Sequence, residues 1–243
     1  MLKRILLPCV CAGLCLVGIA AAPGASAGDI TGVISFEGKA PKMRPLPMET
    51  NPDCKPLKTE KSLTEILLVS EAGELANVLV YVVGGLPEAD YPVPEEEFVI
   101  TQQGCVYAPH VFGVRAGQTI RIKNPDGINH NVHMLPEVNR PLNKTMNAQR
   151  RETTHKFREP EPPFSIKCDI HSWMQAYCAV FDHPFFAVSA KDGTYAIKDL
   201  PPGKYQLEAW HEHRRLGVQR IDVEVAAGGV TTANFIFSPA NPN

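Results

Sequence analysis

Two short stretches carry the residues best suited to chemistry. One is Cys168-Asp169-Ile170-His171-Ser172-Trp173-Met174, and the other, upstream, is His130-Asn131-Val132-His133. Together they offer a thiolate, two imidazoles and a thioether. That is the soft-to-borderline donor set of a mononuclear copper site for electron transfer, with two His and one Cys in a trigonal plane and a long axial Met. The C-x2-H-x2-M spacing puts three donors on one short loop, which fixes them against one another when it is closed between two strands. The fourth donor must come from a neighbouring strand. Zinc competes for Cys and His but seldom takes a thioether, so the Met favours copper.

The two upstream imidazoles cannot both serve. Residues three apart on a strand face opposite sides, so His133 should pack or face solvent if His130 holds the metal. Asn131 is placed to hydrogen-bond across to the ligand loop and hold the thiolate's geometry. Trp173 sits between two donors and either shields the metal from water or anchors that end of the fold. His211-x-His213 puts two imidazoles on one face, which would join His183 or His110 in a second metal site. Histidines near a surface turn are the commoner case, and one such pair falls short of the trinuclear centre of a multicopper oxidase.

The elements that must position these residues read as strands. The chain of 243 residues has 22 Pro, 18 Gly and 21% charged residues, which suits a loop-rich β protein better than a helical one. The formal charge of −2 gives no reason to expect nucleic acid. No amphipathic helix of three turns and no internal repeat is visible. Short apolar runs separated by Gly, Pro and Asn-Pro predict strands over residues 29–36, 66–69, 77–83, 98–101, 119–123, 164–168, 195–197, 205–210, 221–225 and 232–237. Residues 139–158 carry Arg140, Lys144, Arg150, Arg151, Lys156 and Arg158 against Glu152 alone. They read as a solvated loop, with a docking surface for an acidic partner as the sharper alternative.

Lys3 and Arg4, the apolar run Ile5 to Ala22, and Ala25-Ser26-Ala27 form a secretory signal, residues 1–27, with cleavage before Gly28. A retained anchor is the alternative, weakened by Pro8, Gly13, Gly18 and Pro23. Gly24 to Gly28 imitates the G-x-S-x-G of a nucleophile elbow, but it lies at the cleavage region and carries no catalytic meaning. Removing the leader takes away Cys9, Cys11 and Cys15 and leaves Cys54, Cys105, Cys168 and Cys178. In an oxidising compartment spare thiols pair. With Cys168 on metal, Cys54–Cys105 is the preferred bridge, because both lie in loop-like settings flanked by Pro or Gly. Cys178 in Ala176-Tyr177-Cys178-Ala179-Val180 looks like a buried strand residue.

Tyr107-x-Pro109, Phe112-x-Val114, and Gly117-Gln118-Thr119-Ile120-Arg121-Ile122-x-Asn124, followed by the His130 and Cys168 stretches, resemble the cupredoxins, the amicyanin and plastocyanin group in particular. The resemblance covers residues 96–183. It implies a Greek-key β-sandwich with one type 1 copper ligated by His130, Cys168, His171 and Met174. Asp192-Gly193-Thr194-Tyr195 and Leu200-Pro201-Pro202-Gly203-Lys204-Tyr205-Gln206-Leu207 resemble carboxypeptidase regulatory-like, transthyretin-like domains. Gly32 to Gly38 and Ala76 to Val82 resemble the opening half of that fold. The expected architecture is therefore all-β, a cupredoxin sandwich (96–183) inserted in or joined to a transthyretin-like sandwich made of residues 28–95 and 184–240. The order of elements also resembles bacterial proteins labelled methylamine-utilisation proteins.

These features imply an exported, periplasmic copper protein that passes single electrons between a redox donor and acceptor and catalyses nothing itself. Copper delivery without redox turnover is a rival, and so is an assembly module whose metal is structural. No nucleic acid and no stable membrane insertion after leader removal are expected.

Overall fold

The computed structural model describes residues 26–59 and 62–239, so all but the last two residues of the expected leader lie outside the described residues. Among those described, no helix is long and apolar enough to cross a membrane. The protein is all-β. Strand β1 (Gly28–Phe36) leads to two single-turn 3-10 helices, Met48–Thr50 and Lys55–Leu57, and then to β2 (Leu79–Gly84). Next come β3 (Phe98–Gln102), β4 (Tyr107–Ala108), β5 (Val111–Arg115), β6 (Ile120–Lys123), β7 (His130–Met134), β8 (Leu142–Met146) and β9 (Glu152–His155). Then follow β10 (Glu161–Lys167), β11 (Gln175–Phe181), β12 (Phe186–Val188) and β13 (Thr194–Leu200). The chain ends through β14 (Gly203–Trp210), β15 (Val218–Val225), β16 (Val230–Thr232) and β17 (Phe235–Phe237).

These strands form four sheets. A central pair has the orders β5-β11-β10-β7-β8 and β4-β3-β6-β9. A flanking pair has the orders β13-β1-β16, with β17 also on β1, and β12-β2-β14-β15. Alternation along each strand explains the stacking, since successive side chains point to opposite faces. On β11, Ala176, Cys178 and Val180 enter the central core with Ile100, Ile122, Val132 and Ile166. Ala179 and Phe181, on the other face, pack with Val111, Leu79 and Tyr81 in a layer between the two sandwiches. On β2, Val80 and Val82 turn away from that layer into the flanking core of Ile30, Ile34, Tyr195, Leu207 and Phe235. Both β2 and β11 are thus apolar on both faces, as strands buried between layers must be. Gly113 lets the layers close: a Cβ there would meet the Phe186 ring at 2.7 Å.

The segments that lead from β2 to β3 and from β11 to β12 meet at Arg115. Its buried guanidinium donates to the carbonyls of Tyr91 (2.9 Å), Pro92 (3.3 Å), Phe181 (3.4 Å) and Asp182 (2.8 Å).

Several strand expectations need correction. Residues 66–69 form a turn at Ile66 and Leu67 with one isolated bridge, Val69 to Leu75, because Ile66 faces solvent. The run 232–237 breaks at Ala233-Asn234, where Asn234 Oδ1 accepts the Val33 amide at 2.8 Å. The basic stretch 139–158 is not all loop. It supplies β8, paired with β7, and β9, paired with β6. β8 buries only Met146, too little apolar pattern for a strand to be read from sequence.

Residues 46–57, which the sequence reading assigned to the flanking sandwich, send Leu46, Met48 and Cys54 into the central core. Cys54 is disulfide-bonded to Cys105 across 51 residues, as expected. Closing a loop of that length contributes about 4 kcal/mol in the chain-entropy account. Cys168 and Cys178 are free and buried.

Candidate metal centre

The loop 168–174 is a tight closure between β10 and β11. Cys168 N–H donates to Met174 O at 3.1 Å and Met174 N–H to His171 O at 3.0 Å. Lys167 and Gln175 then pair across the strands just outside it. His130 opens β7, which lies beside β10 in the same sheet. The Tyr107 hydroxyl lies 2.5 Å from Asn131 O and 3.2 Å from Lys167 O, pinning the ends of β7 and β10 together.

His130, Cys168 and His171 converge, each with a donor atom within 4.8 Å of the others, and all three are buried. Nδ1 of His130 lies 3.0 Å from Nδ1 of His171, and Cys168 Sγ lies 3.8 Å from the same His171 atom. Met174 is buried in the same core cluster. The remaining edge of His130 is fixed by Asp126, whose Oδ2 accepts from Nε2 at 3.0 Å. With the proton held at Nε2, the Nδ1 lone pair of His130 faces inward, as a metal ligand requires.

Burial alone would push the Cys168 thiol up. The His130 ring and the amides of Asn131, His171 and Ile170 outweigh it, and the thiol titrates below its ordinary range. Burial likewise disfavours charge on His130, yet Asp126 and Cys168 raise its pKa. His171 is lowered, first by burial and then by the charge His130 would carry if protonated. A thiol biased towards thiolate beside two imidazoles, one biased towards neutral, is a site set up for a soft cation. The donor set present fits copper.

Asn131 performs the expected bridging. Its Oδ1 accepts the Asp169 amide at 2.5 Å, its Nδ2 donates to Asn143 Oδ1 at 2.7 Å and Asp169 Oδ2 at 3.1 Å, and its amide reaches Cys168 Sγ at 3.4 Å. His133 points the other way, as the strand period requires, and its Nδ1 lies 2.9 Å from Asp169 Oδ2. His133, then Asn131, Lys167 and Asn143, hold the Asp169 carboxyl well below its usual range.

Sequence reasoning missed Asp126, and it missed that the expected disulfide lies beside the site. Asp126 also accepts the amides of Gly104 (2.7 Å) and Cys105 (2.9 Å), and Cys54 Sγ lies 3.5 Å from His171 Nε2. Asn124-Pro125-Asp126-Gly127 was legible as a turn before His130; nothing in it announced the contact. Trp173, half-buried, lies tilted against the His171 ring with centroids 5.2 Å apart, donates to Cys105 O at 3.0 Å and lines a cleft of about 780 Å³ with Leu46, Leu57, Val106 and His110.

The other histidines do not assemble. His211 Nδ1 accepts the His213 amide at 3.0 Å, His183 accepts the Phe185 amide at 3.2 Å, and His110 pairs with Glu212. Among the described residues, no three-residue metal-ligand group includes any of them.

No protein-family model matches the chain, and no curated protein matches it. Solved structures do resemble part of it. A Cu(I) amicyanin variant is 20% identical over 42% of this chain and 98% of its own, with a TM-score of 0.32. A purple cupredoxin from Nitrosopumilus maritimus is 20% identical over 35% of this chain and all of its own, with a TM-score of 0.30. A copper-containing nitrite reductase from Thermus scotoductus is 15% identical over 40% of this chain, with a TM-score of 0.32. The match spans only 25% of that reductase's length. These cupredoxin neighbours are similar to less than half of the chain.

Proposed function

We propose that the chain is a mononuclear copper protein that carries single electrons, with His130, Cys168 and His171 as equatorial ligands and Met174 as the axial one. The observation that carries this reading is the convergence of two Nδ1 lone pairs and an acidified thiol in one buried pocket. Bound copper supplies the one-electron couple; the protein's residues hold its ligands and exclude water. The closed loop, the Asn131 bridge and the Asp126 contact fix the donors before any metal enters. Such rigidity keeps reorganisation between oxidation states small. Trp173, in ring contact with His171 and reaching the cleft, is the face a redox partner would approach. The exposed basic side chains around β8 and β9 offer a second, acid-attracting surface. The disulfide supports export to an oxidising compartment such as the periplasm.

We read the organisation as a cupredoxin unit set within a flanking, transthyretin-like sandwich, a scaffold with no catalysis of its own. Adding Cu(II) to purified protein should give an intense visible band from thiolate-to-copper charge transfer and the narrow copper hyperfine pattern of a covalent Cu–S bond. Cys168→Ser should abolish the band. A Cys168→Ser protein that keeps its colour and copper content would overturn the ligand assignment. A protein that binds only Cu(I) and stays colourless in air would mean delivery rather than electron transfer.

A further inference from the structure

Trp173 and the basic residues of 139–158 lie on opposite sides of the central sandwich. Trp173 is hydrogen-bonded to Cys105 O, just before β4, and its cleft is walled by Val106, Ala108, Pro109 and His110. β4 closes its sheet on that side. β9 closes the same sheet on the other side, and β8 is the matching edge of the facing sheet. Lys144 Nζ reaches Thr153 Oγ1 at 3.4 Å, joining these two edge strands.

The β8–β9 side concentrates charge. Residues 139–158 hold six of the chain's 24 basic residues and one of its 26 acidic ones. Arg140, Lys144, Arg150, Arg151, Lys156 and Arg158 are all exposed. Among the described residues, no carboxylate lies within ion-pair distance of any of them. Glu152 is taken by Arg121 (3.0 Å) and Lys123 (3.9 Å), and Glu161 by the amides of Glu137, Val138 and Asn139. The pKa of His155 is lowered first by burial and then by Lys144 and Arg140, so these two cations act on one point. Edge strands often carry a lysine that discourages pairing with another sheet. That accounts for Lys144, the one cation inside either strand. The other five sit in the flanking turns, where no edge needs blunting.

We propose that this side is the docking face for an acidic redox protein, and that it works while the Trp173 face stays free for a second partner. The inference rests on the electron-carrier reading for what is passed, not for the docking itself. Four of the six cations are Arg, whose planar fork pairs with carboxylates through two bonds at once. The one Phe, Tyr or Trp in the stretch, Phe157, is buried. The patch therefore lacks a stacking platform for bases and an aromatic anchor for a lipid surface. Its position suits electron entry. β8 pairs with β7, with Met146 opposite His130, so the patch begins one strand spacing, about 4.8 Å, from the strand of a proposed ligand. Arg151 Nη1 donates to Pro125 O at 3.4 Å, next to Asp126, which orients His130. A carrier with two separate faces can hold donor and acceptor together and pass the electron without releasing either.

The test uses the purified, copper-free full chain and a short oligo-L-glutamate peptide as the acidic probe, so its outcome is independent of the copper assignment. By calorimetry the peptide should bind at about 10 mM salt, where charges are screened over about 30 Å, and clearly more weakly at about 100 mM, where they are screened over about 10 Å. Reversing four cations together, Arg140→Glu, Arg150→Glu, Lys156→Glu and Arg158→Glu, should weaken binding by about tenfold or more. The same number of reversals at Lys39, Lys42, Arg44 and Lys191, all exposed and outside the patch, should weaken it far less. Equal losses in the two variants overturn the proposal, because net charge alone would then explain binding. If the first variant fails to fold, amide-shift mapping on labelled wild type decides. The peptide should move signals of residues 139–158 and leave the Trp173 indole signal in place. Shifts centred on the Trp173 cleft overturn the docking face, and shifts at both places overturn the two-face arrangement. Binding to vesicles of phosphatidylglycerol and phosphatidylcholine in equal parts, with none to the peptide, also overturns it and makes this a membrane-facing edge. Peptide docking by a chain that forms no coloured Cu(II) complex would sink the electron-carrier reading and leave the acidic docking face standing.

Discussion

The carboxylate of Asp126 accepts a hydrogen bond from Nε2 of His130 at 3.0 Å, deep in the pocket and four residues before it. Burial opposes the charge on Asp126, but His130 and the amides of Cys105 and Gly104 outweigh it, and the carboxyl titrates below its ordinary range. Asp126 therefore stays ionised beside the imidazole, which orients His130 and strengthens it as a donor. Asp126→Asn should weaken copper binding by about 10–100-fold, the usual effect of removing such an outer partner. Chelator competition measures it. An affinity equal to wild type would show that the ring orientation is set by packing alone.

The flanking sandwich draws its sheets from both ends of the chain. β1 pairs with β13, β16 and β17, and β2 pairs with β12 and β14. Neither residues 28–95 nor residues 184–240 should fold alone, since each would expose unpaired sheet edges and half a core. Well-dispersed amide signals from an isolated 184–240 fragment would disprove this and make the tail a self-standing unit.

The closeness of Cys168 and His171 was legible because it is local: spacing puts them on one short loop, and strand alternation turns His133 away from His130. Arg115 and Asp126 were not legible, because their partners lie at loop carbonyls and amides that no periodicity marks. The packing of 46–57 into the central core was hidden for the same reason: its two 3-10 turns carry too few apolar residues to show a period. The strands expected to within one residue, β1, β3 and β6, alternate cleanly. The edge strands β8 and β9 bury one residue between them and were missed.

His110 joins the two sandwiches through Glu212, with Nδ1 3.1 Å from Gln175 O and 3.9 Å from Glu65. Burial opposes its charge, but Glu212 outweighs burial and the pKa is raised above 6.5. A raised histidine pKa gives stability that is complete below the ordinary value and is lost as pH rises through the folded value. His155, His171, His183 and His211 shift the opposite way. The comparison must therefore be wild type against His110→Gln by denaturant melts. The wild type should be the more stable at about pH 6, with the gap narrowing by about pH 9 as the imidazolium is lost. A gap independent of pH would show that His110 contributes only packing.

Met174 is expected to tune the metal rather than hold it. Its thioether is neutral and its axial bond long, so His130, Cys168 and His171 should retain copper without it. Leucine has nearly the same volume, and a volume-conserving change in this buried position should cost under about 1.5 kcal/mol of stability. The loop closure survives too, because Met174 makes it through backbone atoms alone. Replacing the thioether with an apolar group removes electron donation that favours Cu(II). Met174→Leu should therefore keep the visible band and raise the reduction potential, whereas His130→Ala should weaken binding outright. Voltammetry on the folded, copper-loaded variant is the measurement. A potential and spectrum identical to wild type would place another group in the axial position and remove Met174 from the ligand set.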